Sequence, residues 1–225
     1  MFVKIGRAWR RVRKYPHCIV FFVPSRKVGG SKDPVETMWS SLPGLLKGVP
    51  RCVRMLKKAS DFATARLQAM VKHVPREVVL FAHPSSTWSG FAVNPADEST
   101  DEALLSEWWL ISNHRFKRLV AHVCYGARIL GTEPWQGVFP SWLSYKEDIH
   151  ALQSTESDRK MWAELGKAVV DATVESKTIQ ALAYRLRAAY FMKMAELKDC
   201  SSDGTDALHA IHLQMLIDGL KTSED

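Results

Sequence analysis

Cysteine is scarce in this 225-residue chain, and none of the four, Cys18, Cys52, Cys124 and Cys200, stands in a C-x-x-C pair. Their scatter argues against a disulfide framework and against a zinc ribbon. One thiol can then be reactive while the others fill core or surface positions. Long hydrophobic runs are missing too, since no stretch approaches the roughly 18 consecutive apolar residues of a membrane span. The basic start, Met1 to Lys14, is not followed by a signal-type apolar run with a small-residue cleavage site. A cytoplasmic location with no membrane partner is therefore expected. Neither an internal repeat nor a low-complexity segment is present.

Acidic residues are sparse in the first 80 positions, where Asp33, Glu36, Asp61 and Glu77 stand against 17 Lys/Arg. The rest of the chain carries 14 basic and 20 acidic residues, so the net charge of +7 hides a basic N-terminal part and a mildly acidic remainder. Such asymmetry suits a face that meets nucleic acid, an acidic partner protein or the chain's own C-terminal half. A solvated basic surface accounts for the same charge. The basic arm at 1–15, with Trp9 and Tyr15 interleaved, belongs to this pattern.

What is present is enough apolar material, 46% of residues against 24% charged, to build the core of one α/β domain. His17-Cys-Ile-Val-Phe-Phe-Val-Pro24, Val78-Val-Leu-Phe-Ala82 and Leu119-Val-Ala-His-Val-Cys124 are short apolar runs bounded by breakers, which predicts buried strands. Gly137 to Ser144 is a weaker strand candidate, because Pro140 pushes it toward an edge or a bulge. Helical patterning covers Asp33 to His73, with breaks at Pro43-Gly44 and Pro50, and Thr100 to about Ser112. It returns from Asp158 to Lys198, with a break near Ser176, and again from about Thr205 to Leu220. Buried strands alternating with helices predict an α/β fold with a mainly parallel central sheet flanked by helices. Residues 1–175 are expected to form this domain, with 176–225 as a helical C-terminal extension packed on it.

Functional groups in such sheets gather at the carboxyl ends of the strands, where His83 and Cys124 both lie. A cysteine nucleophile attacks as its thiolate and benefits from a nearby base or imidazolium. A parallel crossover needs a dozen or more residues, and the spacing from His83 to Cys124 exceeds that comfortably. It leaves room for a loop, a crossover helix and a returning strand. His122, two residues before Cys124 on the same strand face, reads as a core histidine or an alternative base. His209 and His212, spaced i, i+3, could share a metal, but no third ligand is evident and no metal is expected. His122-Val-Cys-Tyr-Gly126 also loosely echoes the nucleophile elbow of α/β-hydrolases, although His122 stands where that turn needs a small residue.

The stretches Val78-Val-Leu-Phe-Ala-His83-Pro84 and Leu119-Val-Ala-His-Val-Cys124-Tyr-Gly126 resemble the caspase-like cysteine peptidase clan. That clan includes caspases, metacaspases, gingipains, separases and bacterial CHAT-type domains. Its pattern is an apolar strand ending in His-Gly, a crossover, then an apolar strand ending in a small residue and Cys. The resemblance covers roughly residues 17 to 175. It implies His83 as general base or imidazolium partner, Cys124 as nucleophile, no cofactor, and a protein or peptide substrate. A regulatory partner protein and a place in a prokaryotic regulatory or defence system are further implications.

The chain departs from the pattern at Pro84, where the clan has Gly, because proline has no N–H to offer a developing oxyanion. Ser85, Ser86 or a nearby amide would have to substitute. A substrate pocket is expected around Ser85, Asp97, Tyr125, Gly126 and Trp142, with the acidic loop at Asp97, Glu98 and Asp101 suited to a basic residue. The alternative function is a catalytically impaired module that binds a partner protein or nucleic acid through its basic N-terminal half.

Overall fold

The computed structural model describes residues 18–22, 35, 41–42, 44–46, 53–56, 76–84, 90–91, 116–133, 135–149, 155–200 and 204–225. Five parallel strands form most of one sheet: β1 (Cys18–Phe22), β2 (Val53–Leu56), β3 (Arg76–Phe81), β4 (Phe116–His122) and β5 (Trp142–Tyr145). A sixth, β6 (Leu220–Thr222), pairs antiparallel with β5, and the order across the sheet is β2-β1-β3-β4-β5-β6. Helices with both ends described are α1 (Gly126–Leu130), α2 (Glu156–Glu175), α3 (Ile179–Cys200) and α4 (Gly204–Gly219). The expected class, a mainly parallel α/β sheet with helices, is what the chain adopts.

The central strands are near-continuous apolar runs because both faces of the sheet are covered. On one face Val20, Val79, Phe81, Val120, Leu143 and Tyr145 pack with Trp162 and Val169 of α2, Leu186 and Tyr190 of α3, and Leu213 of α4. On the other, Val78, Leu80, Ala121 and Val123 pack with Ile129 and Leu130 of α1 and with Trp135 and Phe139. Alternate residues of one strand thus serve two cores, as the period-2 geometry requires. No helix among the described residues is long and apolar enough to cross a membrane.

Three features differ from the sequence reading. Val53-Arg-Met-Leu56 lies within the stretch expected to be helical, yet it is the edge strand β2, paired in register with Cys18 to Phe21. Four residues beside Pro50 are too few to show a period, so only pairing with β1 identifies them. The region 176–225 supplies α3 and α4 as expected, but its last residues continue into β6 and so enter the sheet itself. The short helix α1 occupies what read only as a turn leaving the third strand. The expected break near Ser176 is present, with Ser176 capping the end of α2 in extended conformation. The expected helices at 61–70 and 100–112 lie outside the described residues, as does the basic arm at 1–15.

The start of β4 is tied to the end of α2 by one buried side chain. Arg118, 4% exposed, donates to the carbonyl oxygens of Thr173 (3.0 Å), Ser176 (2.7 Å) and Thr178 (3.2 Å) and pairs with the carboxylate of Glu77. Thr173 lies in the last turn of α2 and Ser176 is its cap, where orphan carbonyls and the negative end of the helix dipole favour a cation. Burial pushes the Glu77 carboxyl up, against the opposing pull of Arg118.

Candidate functional site

β3 and β4 neighbour each other at the centre of the sheet, and their ladder runs in constant register from Glu77↔Arg118 to Phe81↔His122. Glu77 and its partner Arg118 stand 41 apart in sequence. His83 and Cys124 have that same separation. Each lies two positions beyond the last paired residue of its strand, so the two emerge level with one another at the carboxyl edge. Both are half-buried, which leaves them reachable from solvent.

Val123 packs in the core that contains α1, so alternation turns Cys124 to the opposite face, toward Ile149. There the Cys124 sulfur accepts the Ile149 N–H at 3.2 Å and lies 3.9 Å from the Ile149 carbonyl oxygen. Burial pushes the Cys124 thiol up, the neighbouring Asp148 carboxylate pushes it further, and the backbone amides opposing them pull it down. The resting group is therefore a thiol rather than a thiolate.

Tyr125 follows at φ 53°, in the left-handed region that a bulky residue rarely occupies. It is held there by its N–H to the Glu147 carbonyl oxygen (3.1 Å) and by its hydroxyl to Asp148 Oδ2 (3.1 Å). Strain of this kind persists only where the surroundings over-determine it, and it clusters at functional sites. The hydrogen bond that the Tyr125 hydroxyl donates to the Asp148 carboxylate pushes the phenol up, and the negative charge beside it adds to this.

Gly126 then starts α1 in close contact with β5, where a Cβ would fall 2.1 Å from Ser144 Oγ. That hydroxyl is buried and donates to the Ala121 carbonyl oxygen at 2.7 Å. Gly126→Ala is thus expected to destabilise the protein by about 1–3 kcal/mol, because Ser144 must rotate and abandon a buried acceptor. Urea unfolding of Gly126→Ala against Gly126→Ala/Ser144→Ala checks this, since the double variant removes the clash and should recover part of the loss.

His122 is buried between Phe81 and Tyr145, with ring centroids 5.4 and 5.2 Å away, and neither ring nitrogen has a hydrogen-bond partner. Burial lowers its pKa to about 4, so it is a neutral core residue. Tyr145 in turn shares a buried 2.5 Å hydrogen bond with the Tyr190 hydroxyl.

Of the expected pocket residues, Tyr125 and Gly126 adjoin Cys124, whereas Trp142 does not. Trp142 pairs with Leu119 at the start of β5 and packs in the core on the α1 side. Because β5 runs parallel to β4, Trp142 is at the end of β5 away from the carboxyl edge, level with the middle of β4. Trp135 is 3% exposed and fills the same core. Ser85, Asp97 and the rest of that acidic loop lie outside the described residues. Pro84 forms an isolated antiparallel bridge with Phe91. His209 is engaged by Asp158 at 2.9 Å, and no group of three metal-ligating side chains occurs among the described residues.

Sequence reasoning misses Asp148 and Ile149 as site residues. The loop that follows the neighbouring strand β5 also leaves from a carboxyl edge, and that rule was the available signal. No protein-family model matches the chain, and no curated protein matches it.

Proposed function

We propose that this protein is a caspase-like cysteine endopeptidase of the cytoplasm whose dyad is His83 and Cys124. The observation that supports the reading is the register of the β3–β4 ladder, whose last pair, Phe81↔His122, lies two positions before His83 on one strand and Cys124 on the next. His83 takes the proton from the Cys124 sulfur as it attacks the peptide carbonyl, and returns it to the leaving amine as the C–N bond breaks. Water then attacks the thioester carbonyl as His83 accepts its proton, and the C–S bond breaks with that proton returned to the Cys124 sulfur. The strained turn at Tyr125 and the Ile149 amide on the sulfur support a sulfur held in position for chemistry.

A second reading rests on Pro84. The N–H groups of Tyr125 and Gly126 are taken by Glu147 and Val123, and Pro84 has none. The amide of Cys124 itself is then the turn's remaining oxyanion donor. Loss of one such donor costs on the order of 100- to 1000-fold in rate. The impaired chain would serve as a binding module, meeting an acidic protein or nucleic acid through its basic N-terminal half.

The test is cleavage of a mixed peptide library by wild type, Cys124→Ala and His83→Ala. The expected result is cleavage by wild type and a loss of at least about a thousandfold in both variants, with unchanged melting temperatures. Undiminished cleavage by Cys124→Ala would overturn the reading. Absence of cleavage together with salt-dependent binding to an acidic polymer would favour the binding module.

A further inference from the structure

The inner side of α3 consists of Ile179, Leu182, Ala183, Leu186, Tyr190 and Met194, all in the core that covers the sheet. The opposite side of the helix is apolar as well. Ala181, Tyr184, Ala188, Phe191 and Ala195 recur at alternating steps of three and four, which places them in one stripe along the helix. Tyr184 and Phe191 are 75% and 61% exposed, and Met192 beside them is 64% exposed. Single exposed apolar side chains are ordinary, but a contiguous stripe of this kind marks an interaction surface. A surface helix turns polar on its outer face, whereas one that is apolar on both sides belongs in a buried position. We propose that this stripe is the interface of a homodimer, in which α3 packs antiparallel on α3 of a second copy.

The order of side-chain sizes along the stripe points to a second copy as its occupant. Steps of three and four form the seam of a helix pair crossing at about 20°. With a two-fold axis between positions 189 and 190, Tyr184 comes level with Ala195 of the second copy and Phe191 with its Ala188. Each aromatic ring then meets an alanine, so large side chains fill the space that small ones leave. A parallel pair in register would set ring against ring and alanine against alanine. The charges favour the antiparallel pair too. Arg185 and Glu196 lie on the same edge of the stripe, both exposed, with Glu175 and Lys193 as their partners within the chain. In the antiparallel pair that edge faces itself, and Arg185 stands about 3 Å along the axis from Glu196 of the second copy. Two symmetric ion pairs follow. Arg187, on the other edge, is turned onto the Leu220 carbonyl oxygen at 3.0 Å. With aromatic side chains of about 150–250 Å² each, the stripe and Met192 of two copies bring together on the order of 1,000 Å², where specific interfaces begin. None of this depends on His83 or Cys124.

Sedimentation equilibrium of the full chain tests this, with thermal melting at high dilution to show that each variant is folded. Wild type should dimerise with a dissociation constant in the micromolar range, as suits an interface of this size. Phe191→Glu puts a charge into the seam from both copies and should weaken the dimer by at least about a hundredfold, with an unchanged melting temperature. Arg185→Glu and Glu196→Arg should each weaken it by about three- to tenfold. The chain carrying both reversals should regain most of the wild-type affinity, because the two pairs are then restored with their signs exchanged. A wild type that stays monomeric at about 200 μM would overturn the inference, whether the stripe is then covered by the rest of the chain or left bare. A dimer undiminished by Phe191→Glu would place the interface elsewhere and overturn it as well. Failure of the double variant to regain affinity would overturn the antiparallel register, and with it the proposal as stated.

Discussion

Arg118→Leu is expected to lower the free energy of unfolding by about 3–5 kcal/mol, the range for breaking a buried ion pair by removing one partner. The substitution keeps apolar bulk at the start of β4 but strands Glu77 and three carbonyl oxygens of the α2–α3 connection. The Thr173 and Ser176 carbonyls, whose bonds to the guanidinium are buried, are then left with neither it nor water, and the part-exposed Glu77 loses its partner. A loss of this size is a large share of the roughly 5–15 kcal/mol that holds a typical domain together. For a chain of this length it corresponds to a fall in melting temperature of about 10 °C or more. Urea unfolding checks it, and Glu77→Gln in the Arg118→Leu background should recover part of the loss. A change below about 1 kcal/mol would show that the clasp contributes little beyond packing.

Acid should weaken the fold through His122. Its folded pKa of about 4 lies below the ordinary value of 6.5. Between these two values the unfolded chain binds a proton that the folded chain refuses, so stability rises with pH across that window. The contribution is complete above about pH 7 and is lost as the pH falls toward 4, a difference of about 3 kcal/mol. The cause is burial: the ring sits between Phe81 and Tyr145 with no partner for either nitrogen, and a charge there is unsolvated.

His122→Phe isolates the effect from the carboxylates that titrate in the same range. The variant should match or exceed wild type at pH 7, because two unpaired buried nitrogens are removed, provided the ring fits the slot. Its advantage over wild type should then grow by about 2 kcal/mol or more between pH 7 and pH 4.5, by the same linkage relation. Parallel pH dependence of wild type and variant in urea unfolding would show that His122 does not titrate in the core.

Much of the frame was legible in the residues alone. Val78 to Ala82 and Leu119 to Val123 are apolar at nearly every position because both faces of those strands are covered, and a two-sided burial leaves that mark in the sequence itself. The breakers after them, His83-Pro84 and Tyr125-Gly126, located the strand ends and therefore the candidate dyad. β2 was not legible, since four residues at a sheet edge show no period of their own. Neither was β6, because Leu220-Lys-Thr222 reads as the tail of α4 until its pairing with β5 is seen. Trp142 read as a pocket residue from its position near the third strand in sequence. Its place at the amino end of β5 depends on β5 running parallel to β4, which only the topology decides.

His83 and Cys124 show where the two kinds of information divide. Local pattern by itself determined that each residue ends a buried strand, because burial and chain breaking are properties of a few consecutive residues. It also determined the spacing between them, but a spacing permits many registers. The ladder that turns this spacing into the actual register, the Ile149 amide on the sulfur, the Asp148 carboxylate on the Tyr125 hydroxyl and the Arg118 clasp were decided only in the tertiary structure. All of these join residues 23 or more positions apart along the chain. Such contacts arise from how helices and strands pack after the chain has crossed over the sheet, and no local run of residues carries that outcome.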